Sequence, residues 1–444
     1  MTGMARDGGL LLPESIPDVT DQLPAWRHLT YAELAARILG LYADLPEAEL
    51  RALVRRSYSK FRTPEVTPLV RVGHVHMLEL HHGPTLAFKD IALQLLGNLF
   101  ERFLAERGQT LNIVAATSGD TGSAAIHGVR GKSGIRIFVL HPHQRVSKAQ
   151  ERQMTTVLDD NVFNLALEGT FDECQAIVKA LFNDLPFRDR HALGAVNSIN
   201  WARIAAQVVY YFYGAFRAMD ATGASEVAFS VPTGNFGDIF AGYLARRMGL
   251  PIRRLILATN ENDILARCFT TGVYESRAVR ATVSPSMDIQ AASNFERYLY
   301  YHVGGDPQRV RDLMGEFARS GRICLGEAGA PPDGLFRAGS ADKARTLATI
   351  RAFYDGHQYQ LDPHTAAGVA VGLQNRERNV PLICLATAHP AKFGEVIRTA
   401  LGSDLAHHPI LNAMEGKPAR MEVLPASLES VRGFIEARLG AGKA

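Results

Sequence analysis

From residue 111 onward, short apolar runs of strand length alternate with stretches of helical period, and this alternation constrains the fold more than any other feature of the chain. Residues 111–117, 135–140, 162–167, 227–231, 252–258 and 382–387 read as strands. Helical spacing appears between them, at 123–129, 171–182, 203–217 and 239–248. Alternating β and α units predict a mainly parallel sheet with helices on both faces. Ligands in such folds sit beyond the carboxyl ends of the strands, so the loops there become the place to look for chemistry.

The flanking regions are simpler. Residues 1–72 open as a loop, continue as helices at 29–42 and 46–58, and close with Pro64, Pro68 and a strand-like 69–72. The region 270–340 reads as less regular, with 326–336 (GEAGAPPDGLF) as an exposed loop. Helices are expected again at 342–354, 363–373, 391–401 and 428–439. The expected division is a small helical N-terminal domain (1–72), a core of two interleaved α/β subdomains (73–402) and a C-terminal extension ending in a helix (403–444).

Composition narrows the function class. A chain of 444 residues with 47% apolar and 21% charged residues has the balance of a soluble globular protein with a large core. A net charge of +3 gives no electrostatic reason to expect nucleic acid or membrane partners. Cys174, Cys268, Cys324 and Cys384 are isolated, without metal or redox spacing, and read as small core residues in a reducing compartment. No metal site is expected. No stretch has the length of a membrane span, and the N-terminal apolar run is too short for a signal segment, so the expected location is the cytoplasm.

The chemistry centres on HHGPTLAFKD, residues 81–90, where Lys89 opens an amphipathic helix beside Leu86, Ala87 and Phe88. Partial desolvation there lowers an amine's pKa and makes it a usable nucleophile or base; taken alone, the lysine would sooner be read as reaching solvent, as most lysines do. Two strand-to-helix loops, TSGDTG (117–122) and PTGNFGD (232–238), carry small residues with free backbone N–H groups suited to an anion. Each alone fits a tight turn, and neither matches a nucleotide fingerprint. A further segment, NSINWAR (197–203), offers amides, a hydroxyl and a guanidinium at a helix start for a second anionic group. In TAHPAKF (387–393), Thr387 stands at a strand end, His389 reads as structural and Lys392 as solvated. One lysine with two separate phosphate-type loops points to a phosphorylated aldehyde held by a Schiff base.

HGPTLAFKD, TSGDTG, NSINWARI, VPTGNFGD and TAHPAKF, in this order, closely resemble the threonine synthase family, in its longer bacterial and fungal branch. The likeness runs from Ala5 to about residue 425. It implies pyridoxal 5'-phosphate as cofactor and the α/β fold type II of tryptophan synthase β, with two open, mainly parallel subdomains. Lys89 is implied as the Schiff-base lysine and general base. Gly234, Asn235, Phe236, Gly237 and Asp238 are implied as the cradle of the cofactor phosphate, and Thr387 as the partner of the pyridine nitrogen. Ser118, Asp120 and Thr121 would lie beside the ring hydroxyl and the substrate carboxylate; related enzymes often have Asn where this chain has Asp120. Asn197, Ser198 and Arg203 would bind the substrate phosphate.

The implied reaction converts O-phospho-L-homoserine and water to L-threonine and phosphate, by γ-elimination and addition of water at Cβ, in a monomer or homodimer. A phospholyase releasing 2-oxobutyrate and phosphate is the nearest alternative, since the two differ in how water reaches Cβ. A non-catalytic pyridoxal-phosphate-binding protein is another, opposed by intact Lys89, Thr387 and glycine loops. Relatives begin with a further S-T-R-G-like segment ahead of Ala5-Arg6-Asp7-Gly8-Gly9-Leu10. The short start points either to a late-assigned start or to a missing strand, and leaves the catalytic motifs untouched.

Overall fold

The computed structural model describes residue 5, residues 8–326 and residues 332–440. In chain order its strands are β1 (Leu69–Val72), β2 (Val75–Glu79), β3 (Leu111–Ala116), β4 (Ile135–Pro142), β5 (Val162–Glu168), β6 (Leu193–Gly194) and β7 (Val227–Pro232). They continue as β8 (Ile252–Thr259), β9 (Val273–Glu275), β10 (Arg322–Cys324), β11 (Phe336–Ser340), β12 (Leu382–Ala386) and β13 (Glu422–Pro425). Two open sheets result. The larger has the order β1-β2-β12-β7-β8-β11 and the smaller β13-β5-β4-β3-β6, with β9 and β10 forming a separate ribbon. Among the described residues, only the β1–β2 pair of the larger sheet is antiparallel, and every pairing in the smaller sheet is parallel. The alternation of strand and helix runs in the sequence therefore folds as two mainly parallel sheets.

The larger sheet is organised on the helix Trp201–Thr222. Its apolar residues go all round, from Ile204 and Val208 to Phe212 and Phe216, so it lies buried between other elements. The helices Tyr31–Gly40 and Glu47–Tyr58 seat on it: Tyr31 meets the rings of Tyr58 at 5.2 Å and Tyr213 at 5.4 Å. Leu34, Ile38 and Val54 thereby enter one hydrophobic cluster with Phe212, Phe229 and Ile383. Each such fully buried side chain contributes about 1.5–3 kcal/mol. The C-terminal chain does the equivalent for the smaller sheet. There β13 pairs with β5, and the helix Leu428–Gly440 buries Val431 and Ile435 against Phe138 and Leu165.

Several expectations are corrected. The region 270–340 is more regular than its sequence reads, holding the helices Phe295–His302 and Pro307–Ser320. The second lays one apolar stripe, Val310, Leu313, Met314 and Phe317, on the core, and Asp306 caps it by accepting from the N–H groups of Gln308 and Arg309. Residues 327–331 of the expected exposed loop lie outside the described residues. Cys324 is exposed, unlike the other three cysteines, which are buried. The helix expected from residue 123 starts at Asp120, because the Thr117 hydroxyl accepts from the N–H groups of Gly119 and Gly122 and turns the chain early.

Two helices cross without side chains between them. A Cβ on Gly97, in the helix Lys89–Arg107, would lie 2.0 Å from the carbonyl oxygen of Gly128, in the helix Asp120–Val129. A Cβ on Gly128 would lie 2.5 Å from the carbonyl oxygen of Leu93. Their first residues are Lys89 and Asp120, so the close crossing fixes where those two side chains meet. Gly97→Ala should force the helices apart and cost roughly 1–3 kcal/mol, read as a fall in the unfolding midpoint.

Candidate active site

Strands β2, β12 and β7 are neighbours and parallel, so their carboxyl ends open on one edge of the larger sheet. The loop after β2 carries Lys89, the segment after β12 carries Thr387, and the loop after β7 carries residues 233–238. The first two are zipped together by backbone: the Phe88 N–H donates to Thr387 O at 2.8 Å and the His389 N–H to Leu86 O at 3.0 Å. Leu86 adopts φ +63°, a costly conformation for a bulky residue, and its side chain is fully buried. The tension at Leu86 is held by the bridge that its own carbonyl and the Phe88 N–H make around Ala87.

The smaller sheet presents its own carboxyl edge. Ser118, Asp120 and Thr121 follow β3, and Asn197, Ser198 and Arg203 follow its neighbour β6. Asp120 is 2% exposed and faces Lys89, with Oδ2 3.7 Å from Nζ. Its Oδ1 accepts from Gln150 Nε2 at 2.9 Å and lies 2.7 Å from Lys392 Nζ. Burial alone would raise this carboxyl's pKa, but Lys392, then Lys89, outweigh it and hold Asp120 well below the usual carboxylate range. Burial lowers the pKa of the Lys89 amine; Asp120 opposes the shift, while Lys392 and Arg203 add to it.

Arg203 is buried as well, and desolvation brings it down to about 10. One guanidinium nitrogen donates to Val196 O at 3.0 Å, while its Nε and the nearby Asn200 Nδ2 are buried without a partner among the described residues. Buried donors left unpaired are costly, and here two of them stand on one strand-to-helix turn. Ser198 and Asn235 are drawn together by Ser293: its Oγ is 3.1 Å from Ser198 Oγ and donates to Asn235 Oδ1 at 3.2 Å. Asn294 adds bonds to Ser198 O and Asn235 O. Asn197 is the exposed member of the set.

The loop after β7 has the form of an anion cradle. Among the described residues the backbone N–H groups of Gly234, Asn235, Phe236, Gly237 and Asp238 find no acceptor. Phe236 holds φ +65° as the residue before the helix Gly237–Arg247, which turns these N–H groups toward one side. A Cβ on Gly234 would lie 2.6 Å from Ser286 O, so the loop is closed to any larger residue there. The Asp238 side chain points elsewhere, accepting from Tyr210 at 2.6 Å and Tyr211 at 2.9 Å; burial raises its pKa to about 6. Unclaimed N–H groups opposite a low-pKa amine fit a phosphorylated aldehyde attached at Lys89.

Some residues of this site were not anticipated. Lys392, which reads as solvated, is fully buried; its Nζ also donates to Thr85 O at 2.8 Å, because the turn Pro390–Phe393 packs into the space between the sheets. Gln150 had a legible signal, since Ser147 and Gln150 form a capping box at the helix Lys148–Thr155. Ser293 and Asn294 had none beyond their polarity. His389 caps the turn: its Nδ1 accepts from the Ala391 N–H and its ring packs on His81 and His408.

Comparison with known proteins follows this geometry. A family model for pyridoxal-phosphate dependent enzymes matches residues 61–350, one for the threonine synthase N terminus matches 1–58, and one for the threonine synthase C-terminal region matches 365–435. Threonine synthase of Methylobacillus glycogenes is 47% identical, over 98% of this chain and 95% of its own length. The crystal structure of threonine synthase from Brucella melitensis with pyridoxal phosphate bound superposes with a TM-score of 0.93 at 46% identity, covering 98% of this chain and 95% of that one. The yeast threonine synthase structure gives 0.92 at 42% identity, covering 99% and 95%.

The cradle predicts that Gly234→Ala weakens retention of pyridoxal phosphate by about tenfold or more, equivalent to ~1.4 kcal/mol, in an absorbance titration. Circular dichroism should stay unchanged.

Proposed function

We propose that this chain, which belongs to the threonine synthase family of pyridoxal-phosphate-dependent enzymes, makes L-threonine and phosphate from O-phospho-L-homoserine and water with Lys89 as its reactive amine. The observation that carries the reading is Lys89 itself, a nearly buried lysine of lowered pKa placed between the carboxyl edges of two sheets. Burial shifts a lysine so placed toward the neutral amine that a nucleophile or general base requires.

The cofactor, when bound, supplies a sink for the electrons released as the substrate's Cα proton leaves. The N–H groups of Gly234, Asn235, Phe236, Gly237 and Asp238 hold its phosphate at the positive end of a helix. The Thr387 hydroxyl would hold the pyridine nitrogen; being neutral, it would leave that nitrogen less firmly protonated than a carboxylate would. Ser118, Asp120 and Thr121 border the ring hydroxyl and the substrate carboxylate. Lys89 takes the proton from Cα, then one from Cβ, and returns protons as the product forms. Phosphate departs from Cγ beside Arg203, whose unpaired Nε and the neighbouring Asn200 amide are donors awaiting an anion. Ser198 lines the same pocket and Asn197 its exposed rim.

We divide the chain into residues 1–72, 73–402 and 403–444, and place the enzyme in the cytoplasm as a monomer or homodimer. No helix among the described residues is long and apolar enough to cross a membrane.

The deciding experiment incubates the protein with pyridoxal phosphate and O-phospho-L-homoserine and assays phosphate, threonine and 2-oxobutyrate together. Phosphate should be matched by threonine; a match to 2-oxobutyrate would make the chain a phospholyase. Lys89→Ala should lose turnover and the visible absorbance of the attached cofactor while staying folded, and normal activity in it would sink the assignment. Arg203→Ala should raise KM for the phosphorylated substrate by about tenfold or more, the loss expected for a charge-assisted contact. An unchanged KM would remove Arg203 from the phosphate pocket.

A further inference from the structure

We propose that Lys392 is a positioning residue for Lys89: it is the nearer counter-ion of Asp120 and so leaves Lys89 free to give up its proton. This deepens the reading of Lys89 as the reactive amine and rests on it. Lys392 Nζ is 2.7 Å from Asp120 Oδ1, whereas Lys89 Nζ is 3.7 Å from Oδ2, beyond hydrogen-bond reach. The Lys392 side chain is 0% exposed, so its charge has no solvent to turn to.

Both sheets hold the pair in place. From the larger sheet, Thr85 O accepts from Lys392 Nζ, and Thr85 is itself fixed by the Asp90 carboxylate through its N–H at 2.7 Å and hydroxyl at 2.8 Å. From the smaller sheet, Gln153 Nε2 donates to the same Thr85 O at 2.9 Å, while Gln150 holds Asp120 Oδ1. Lys392 thus closes a chain of bonds between the loop that leads into Lys89 and the helix that starts at Asp120.

The physical reason for a second lysine is the cost of an unpaired buried charge. Were Lys89 the sole cation beside Asp120, each loss of its charge would strand a buried carboxylate, and the pair would resist deprotonation. Lys392, 2.7 Å from Asp120 Oδ1, pairs with that carboxylate more closely than Lys89 does and removes that tie. The other groups facing Lys89 do not replace it. Arg203 repels the ammonium as Lys392 does, Asp238 is engaged by Tyr210 and Tyr211, and Asp90 is bound by Thr85. Lys392 itself faces Asp90 and His389, and burial lowers the His389 pKa to about 3, which keeps that ring neutral.

Competitive labelling of the Lys89 amine across pH, in the full-length chain freed of cofactor, reads its titration without reference to turnover. Lys392→Met should raise the apparent Lys89 pKa by about one unit or more, a roughly tenfold drop in labelling rate at neutral pH. Lys392→Gln, which keeps a donor for Thr85 O but no charge, should do the same and serves if the Met variant fails to fold. Adding Asp120→Asn to either should return the titration to the starting pH or below it, which a merely structural role for Lys392 would not do. An unmoved titration in folded Lys392→Gln, or a double variant that stays shifted, overturns the proposal. The Lys89 assignment is tested apart from this by cofactor attachment in Lys89→Ala.

Discussion

The antiparallel bridge between residues 86–88 and 387–389 is the contact on which the site depends. It is short, formed by the Phe88 N–H on Thr387 O and the His389 N–H on Leu86 O, with Ala87 and Ala388 paired between them. Without it the loop after β2 would have no reason to hold Leu86 in a left-handed conformation, and Lys89 would open its helix in no fixed relation to β12. With it, the amine, the Thr387 hydroxyl and the glycine loop stand on neighbouring strands of one sheet. Lys392 follows a few residues later, in the turn that the bridge has already aimed inward.

Electrostatics explains why the smaller sheet has to come so close. Lys89, Lys392 and Arg203 put three cations in a poorly hydrated space, and a cluster of that kind holds together only if carboxylates share it. Asp120 enters at the start of its helix, where the backbone dipole favours a negative charge. The glycine contact of Gly97 with Gly128 lets the two helices approach without intervening side chains. A backbone contact far from the chemistry thereby sets the spacing of the central ion pair.

Much of this was legible in the chain. The strands were visible as compact apolar runs because buried parallel strands need little else, and most of their ends fall within one or two residues of the structure. Lys89 could be placed at a helix start from its apolar neighbours and the helical period that follows. What stayed hidden was tertiary in origin. Nothing local distinguishes Lys392 from a solvated first-turn lysine, since its burial is decided by Thr85 and Asp120, more than 250 residues away in sequence. Ser293 and Asn294 look like ordinary polar residues until they are seen to tie Ser198 to Asn235. The short β13 escaped notice because it is half exposed at a sheet edge and carries little apolar pattern.

The position of β12 also sets the order in which the protein can be made. This strand lies between β2 and β7 in the larger sheet, yet it leaves the ribosome after every other member of that sheet. The nascent chain must therefore carry β2 and β7 as unjoined edges for some 150 residues beyond β7, with their inner backbone groups open to wrong partners. β13 repeats the arrangement at the rim of the smaller sheet. Domains that fold in step with synthesis finish their early parts first; here the segments that complete both sheets emerge after all the strands they join, so Lys89 cannot meet Thr387 and Lys392 until β12 and the turn after it have been made.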